Sequence, residues 1–115
     1  MSRSTRSRAF GTPRSYAHAF AALGDQTRLS LLSKLSGGKP RSISQLTRGS
    51  RLTRQAITKH LRVLEKASMV RCSRSGRERL FQLDPRPLSE MRGYLEAVSA
   101  QWDDALARLK LFVEQ

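Results

Sequence analysis

Apolar residues recur along this chain at two spacings, and the switch between them outlines a fold. Tyr16, Ala19, Phe20 and Leu23 fall three or four residues apart, the period of an amphipathic helix, and Gly24 ends that segment. Asp25 is placed to cap a second helix carrying Leu29, Leu32 and Leu35, which Gly37, Gly38 and Pro40 stop. Ser42-Ile43-Ser44-Gln45 has the form of a capping box, in which the Ser oxygen takes one free helix N–H while the Gln side chain reaches back to another. It starts a short third helix that closes at Gly49. Thr53 then caps a fourth helix, with Leu52 and Ile57 in the positions of a hydrophobic staple and Ile57, Leu61 and Leu64 on one face. After it the pattern changes. Residues 69–74 and 79–83 read as strands, with Ser75-Gly76-Arg77-Glu78 as the hairpin tip between them. Asp84-Pro85-Arg86-Pro87 is expected to block both strand and helix. A last helix is expected over residues 88–113, roughly 39 Å at 1.5 Å per residue. Its apolar positions Leu88, Met91, Leu95, Val98, Trp102, Leu106, Leu109 and Val113 lie close to a coiled-coil seam.

On the fourth helix, Arg54, Gln55, Thr58, Lys59 and Arg62 occupy a polar arc of about 140°, at 100° per residue. Two helices joined by the short turn Gly49-Ser50-Arg51-Leu52, the second with a long-armed polar face, form a helix-turn-helix signature. A hairpin directly after such a helix is a wing, and this one carries Arg74, Arg77 and Arg79. The fold expected is mainly α: a winged helix-turn-helix with one β-hairpin wing and a long C-terminal dimerisation helix.

Composition narrows the function. The chain has 115 residues, enough for one domain, expected over residues 15–115 behind a flexible basic arm at 1–14. Net charge is +13, and it is unevenly spread. Residues 41–79 hold eleven basic side chains against Glu65 and Glu78, whereas residues 84–115 hold four against six acids. A dense positive block beside a slightly negative terminal segment predicts one surface for a polyanion and another for packing or a partner chain. No apolar stretch is long enough to span a bilayer. The Ser/Arg-rich start lacks the apolar centre of a secretory signal, and periodic sequence begins too early for an organelle transit peptide. Cys72 is the only cysteine, which excludes an internal disulfide and a zinc finger and fits a cytoplasmic protein.

The candidate DNA-binding residues follow from this layout. Gln55 and Thr58 suit base edges, and Arg54, Lys59 and Arg62 suit bases or phosphates, since Gln pairs with adenine and Arg with guanine in the major groove. Arg48 and Arg51 in the turn fit backbone contacts. Arg74, Arg77 and Arg79 fit phosphates or a narrow minor groove. The bland alternative is a charged face that serves solubility alone. His60 has two readings, a ring packed at the helix flank or a donor to a phosphate. Cys72 reads as a small core residue, with a thiol sensor as the sharper alternative. No phosphate loop, nucleophile elbow or His with a sequence-local partner points to an enzyme, and no cofactor is expected. An exposed seam on the last helix calls for a partner. Two-fold symmetry in a homodimer would place two recognition helices in successive major grooves, so the DNA site is expected to be an inverted repeat.

With these elements in order, the chain resembles the ArsR (SmtB/ArsR-type) winged helix-turn-helix repressors. The resemblance runs from Tyr16 to Leu83 and, more loosely, through the terminal helix. It is carried by Ala22-Leu23-Gly24-Asp25-Gln26-Thr27-Arg28-Leu29, by Thr58-Lys59-His60-Leu61-Arg62-Val63-Leu64-Glu65-Lys66-Ala67, and by Ser75-Gly76-Arg77-Glu78-Arg79-Leu80-Phe81-Gln82-Leu83. Gln26 stands where Pro is usual, and Ser68 where Gly is usual before the wing. The resemblance implies a homodimeric transcription factor, usually a repressor, with an interface built from the first and last helices: Tyr16 and Phe20 with Leu88, Met91, Leu95, Val98, Trp102, Leu106 and Leu109. The family's metal sites do not carry over. Residues 42–49 lack Cys and His, and Glu96, Asp103 and Asp104 on the last helix have no His beside them. The terminal segment resembles the metal-ligand-free subgroup, whose members often repress their own transcription. The expected function is a sequence-specific, metal-independent, homodimeric repressor of double-stranded DNA. The alternatives are a nonspecific or architectural nucleic-acid binder, a protein-interaction adaptor, and a repressor responsive to an effector or thiol signal through Cys72 or an interhelical pocket. Any small-molecule effector is unknown from the sequence.

Overall fold

The computed structural model describes residues 12–114, so the basic run from Ser2 to Arg8 lies outside the described residues. Among the described residues, five helices and three short strands follow one another: α1 (Pro13–Leu23), α2 (Gln26–Leu35), β1 (Arg41–Ser42), α3 (Ile43–Thr47), α4 (Arg54–Lys66), β2 (Val70–Ser75), β3 (Glu78–Leu83) and α5 (Pro85–Glu114). This is a mainly helical winged helix-turn-helix.

The caps set the helix starts. Asp25 accepts from the Arg28 N–H at 3.0 Å, and Thr53 accepts from the Ala56 N–H at 3.1 Å. At α3 both halves of the capping box form: Ser42 Oγ accepts from the Gln45 N–H at 3.2 Å and Gln45 Oε1 accepts from the Ser42 N–H at 2.8 Å. Helix α1 starts earlier than the apolar period suggested. Thr12 caps it and Pro13 occupies its first turn, so Pro13 and Arg14 belong to the helix and not to the arm.

Helix α4 ends in a Schellman motif. The Met69 N–H donates to Leu64 O and the Ser68 N–H to Glu65 O, both at 2.9 Å. Ser68 therefore holds the left-handed position with φ 62°, the conformation that makes Gly usual there. The reversal brings Met69 and Val70 into the core beside Leu31, Leu35, Leu46, Ile57, Leu61 and Leu64, the fully buried side chains. In α2 the buried set is Leu31, Leu32 and Leu35. Leu29, expected on that face, is 52% exposed, because α2 packs its Leu31, Leu32 and Leu35 face onto the core.

The sheet is antiparallel in the order β1-β3-β2, with the register Arg41↔Phe81, Ser42↔Leu80 and Val70↔Leu83 through Ser75↔Glu78. The wing loop is only Gly76-Arg77, with the positive φ at its first residue (62°), the pattern of a type II′ turn. Strand β1 ties the base of the wing to the start of α3.

The expectation that residues 84–87 block a helix is corrected. Helix α5 begins at Pro85, because prolines in a first turn remove only N–H groups that have no helical partner. Buried Asp84 anchors that start: Oδ1 accepts from the Arg86 N–H and Nε, each at 3.1 Å, and Oδ2 accepts from Arg86 Nη2 at 2.8 Å. The Arg86 guanidinium holds the Asp84 carboxyl below its ordinary value of 3.8, with help from the Arg86 N–H and the Arg71 charge. Helix α5 then packs on α1 through a stacked ring pair, Tyr16 against Tyr94 at 4.4 Å and 19°, with Phe20 tilted beside Tyr94.

Candidate nucleic-acid interface

The recognition candidates sit on α4 as the 3.6-residue period requires. With Ile57, Leu61 and Leu64 buried, Arg54, Gln55, Lys59 and Arg62 stand exposed. Thr58 is half-buried, and its hydroxyl donates to Arg54 O at 2.7 Å. That bond leaves the Thr58 oxygen lone pairs and methyl group for a ligand, but not its proton. Before the helix, Gly49 closes α3 with φ 78°, and the Ser50 N–H donates to Thr47 O at 2.9 Å. This tight turn leaves Arg48 and Arg51 exposed.

Two depressions make this face continuous. One, of about 520 Å³, is lined by Ile43, Arg54, Gln55, Thr58 and Lys59. The other, of about 270 Å³, lies between α3, the start of α4 and the wing, and takes in Ser42, Ser44, Arg54, Arg74, Arg77, Glu78 and Arg79. Ile43 and Arg54 belong to both. Among the described residues, Arg48, Arg51, Arg54, Lys59, Arg62, Arg74, Arg77 and Arg79 form no ion pair.

His60 departs from this group. Its ring faces α2, with Nδ1 3.6 Å from Asp25 Oδ2 and 3.4 Å from Arg28 Nη1. Arg28, which the sequence shows only as one residue of the Ala22–Leu29 motif, is the joint of three helices. Its Nε donates to Ala22 O at 2.6 Å and Nη2 to Ala21 O at 3.3 Å, so it caps the end of α1 while its own N–H holds Asp25. The Arg28 N–H, and then the His60 and Arg28 charges, keep the Asp25 carboxyl below its ordinary value. The signal in the sequence was the Gly24-Asp25 break followed by an Arg three residues into α2.

Cys72 is half-buried against the core. Among the described residues no three His, Cys, Asp or Glu side chains converge, and no helix is long and apolar enough to cross a membrane.

The seam on α5 divides in two. Met91, expected at a partner interface, is 2% exposed in this chain's own core, and Tyr16, Phe20 and Leu88 pack against that core as well. Val98 is half-buried. Leu95, Trp102, Leu106 and Leu109 are 51–64% exposed. Between the packed and open stretches lies a groove of about 360 Å³, floored by Phe20, Leu23, Leu88, Met91 and Leu95 and edged by Arg92, Glu96 and Ser99.

A wing and a polar-faced second helix on one side, over a compact helical core, define a helix-turn-helix DNA-binding domain, and comparison with known proteins agrees. A helix-turn-helix domain family matches residues 23–73. An HTH-type transcriptional regulator of Mycobacterium tuberculosis, Rv2034, is 34% identical over 81% of this chain and 97% of its own length. An ArsR-like transcriptional regulator from Rhodococcus sp. RHA1 superposes with a TM-score of 0.78 at 36% identity, covering 89% of this chain and 95% of that one. The chain is a transcriptional regulator and belongs to the ArsR family. A more distant neighbour shares the fold at 16% identity and a TM-score of 0.61, over 76% of this chain and 81% of that one; it is a homodimeric winged helix-turn-helix DNA-binding domain from Mycobacterium bovis.

Proposed function

We propose that this protein is a homodimeric repressor that reads an inverted-repeat operator with the Arg54–Arg62 arc of α4 and grips the flanking backbone with Arg48, Arg51, Arg74, Arg77 and Arg79. The observation that carries the reading is the continuity of the two depressions through Arg54, which joins the base-reading arc to the wing arginines on one face. Gln55 and the Thr58 oxygen are the groups suited to base edges, and the arginines suit guanine or phosphate. His60 is left out of the contact set, because its ring is taken up by Asp25 and Arg28.

Dimerisation is supported by the apolar stripe of α5. Its proximal part is covered by α1, and its distal part, with Trp102, Leu106 and Leu109, is covered by none of the described residues. A second copy would cover it, and one neighbour with this fold is homodimeric. Two-fold symmetry then sets two α4 helices about 34–36 Å apart, one helical turn of DNA. Repression follows where such a site overlaps a promoter.

Selection of bound duplexes from random DNA tests this. The expected result is one palindrome, preferred over scrambled duplex by at least about a thousandfold. Equal competition between palindrome and scrambled DNA would overturn it.

A further inference from the structure

The cleft between the wing and the starts of α3 and α4 holds charge that the fold itself does not use. Arg54 enters it from α4, Arg74 from β2, Arg77 from the wing loop and Arg79 from β3, with Ser42, Ile43 and Ser44 as the opposite wall. Arg74 and Arg79 are direct cross-strand partners. Like charges so placed destabilise a hairpin, and among the described residues none of the four arginines has an ion-pair partner to offset this. Glu78, the only acid in the lining, is exposed and forms no ion pair among the described residues. Repulsion left unrelieved within the chain is relieved when an anion arrives. The volume of about 270 Å³ corresponds to roughly nine waters at ~30 Å³ each, room for a phosphate group with part of its hydration shell.

We propose that this cleft is a single phosphate seat shared by the wing and α4, that its occupant is one backbone phosphate of the duplex, and that Glu78 is the negative group this phosphate must overcome. The proposal rests on the reading of this face as the DNA face. It goes further in assigning Arg54 and Arg79, from separate elements, to the same phosphate. Two arginines on one phosphate neutralise one charge of the duplex, so their losses do not add. Glu78 opposes occupancy regardless of base sequence, so neutralising it strengthens binding to any duplex.

The test uses the full chain with inorganic phosphate, followed by NMR of the arginine side-chain N–H signals, and with an unrelated duplex, followed by fluorescence anisotropy at several salt concentrations. The variants are Glu78→Gln, Arg54→Gln, Arg79→Gln and the Arg54/Arg79 double variant. Glu114→Gln, which changes net charge equally at the far end of α5, is the control. Phosphate is expected to shift the Arg54 and Arg79 signals. Glu78→Gln is expected to tighten duplex binding by severalfold, with Glu114→Gln well below that. The double arginine variant is expected to flatten the log–log salt slope by about 0.9 in total, the loss of one phosphate. A flattening of about 1.8 would mean two separate phosphates and would overturn the shared seat. Phosphate binding that responds to these variants while duplex binding does not would make the occupant a free phosphate compound and overturn the DNA assignment. Arg79→Lys, which keeps the charge and loses the fork, replaces the Gln variant if that one melts early. The outcome is independent of operator reading: the seat can fail while random selection still yields a palindrome, and the palindrome can fail while the seat holds.

Discussion

Trp102 offers the sharpest test of the proposed dimer. It is 64% exposed and lies on α5 well beyond Met91, the last residue of that helix in the core cluster, so removing it costs this chain's own fold little. A Trp side chain carries up to about 250 Å², so ~160 Å² is available to a partner. At ~25 cal/mol per Å² the ceiling is ~4 kcal/mol per copy, and truncation of a buried interface aromatic costs about 2–4 kcal/mol. Symmetry doubles the loss, so Trp102→Ala is expected to weaken dimerisation by ~4–8 kcal/mol, or roughly 10³- to 10⁶-fold in Kd. Sedimentation equilibrium across the micromolar range measures this directly. Trp102 is the only tryptophan, so the wild-type emission maximum should also move to the red as the dimer dissociates on dilution. A variant that dimerises with the wild-type constant would refute the reasoning. Met91→Ala supplies the contrast, because Met91 is 2% exposed within its own chain; it should lower monomer folding stability by about 2–5 kcal/mol.

Ser68→Gly relieves a left-handed backbone at φ 62° and should raise stability by about 0.5–1 kcal/mol in urea unfolding. Asp84→Asn removes a carboxylate whose pKa is held below 3.8 in the fold. A lowered folded pKa gives stability that is present above the unfolded pKa and lost as pH falls through the folded one. The wild-type advantage over Asp84→Asn should therefore be full above about pH 5 and shrink below about pH 4, as followed by unfolding at a series of pH values. Gln55→Ala should relax base preference by about 1–3 kcal/mol at one operator position in competition assays. Arg77→Ala should instead weaken binding to all duplexes and flatten the salt slope by up to about 0.9.

Local chemistry was legible where it acts within a few residues. The Asp25, Ser42–Gln45 and Thr53 caps form as their spacing predicts, and the polar arc of α4 follows from the burial of Ile57, Leu61 and Leu64. Features decided by distant partners were not. Strand β1 is two residues long and exists only because Arg41 and Ser42 meet Phe81 and Leu80 across nearly forty positions. Pro85 and Pro87 read as helix breakers until Asp84 supplies an anchor that makes them a first turn. Leu29 and Leu31 are equally apolar in sequence, and only the packing of α2 against the core separates them. In the site, the arc and wing were visible as charge pattern, whereas the inward turn of His60 required Asp25 and Arg28 to be brought to it by the α1–α2 corner.

The two stacked rings of Tyr16 and Tyr94 act as the fulcrum of a long lever. Twenty residues of helix follow Tyr94 up to Glu114, about 30 Å at 1.5 Å per residue. A tilt of only ~10° at the rings swings the far end by ~5 Å, against ~3.4 Å for one step along a DNA strand. In a dimer joined along that arm, the packing of Tyr16 on Tyr94 would therefore bear on how well a base pair inserted or deleted between half-sites is tolerated.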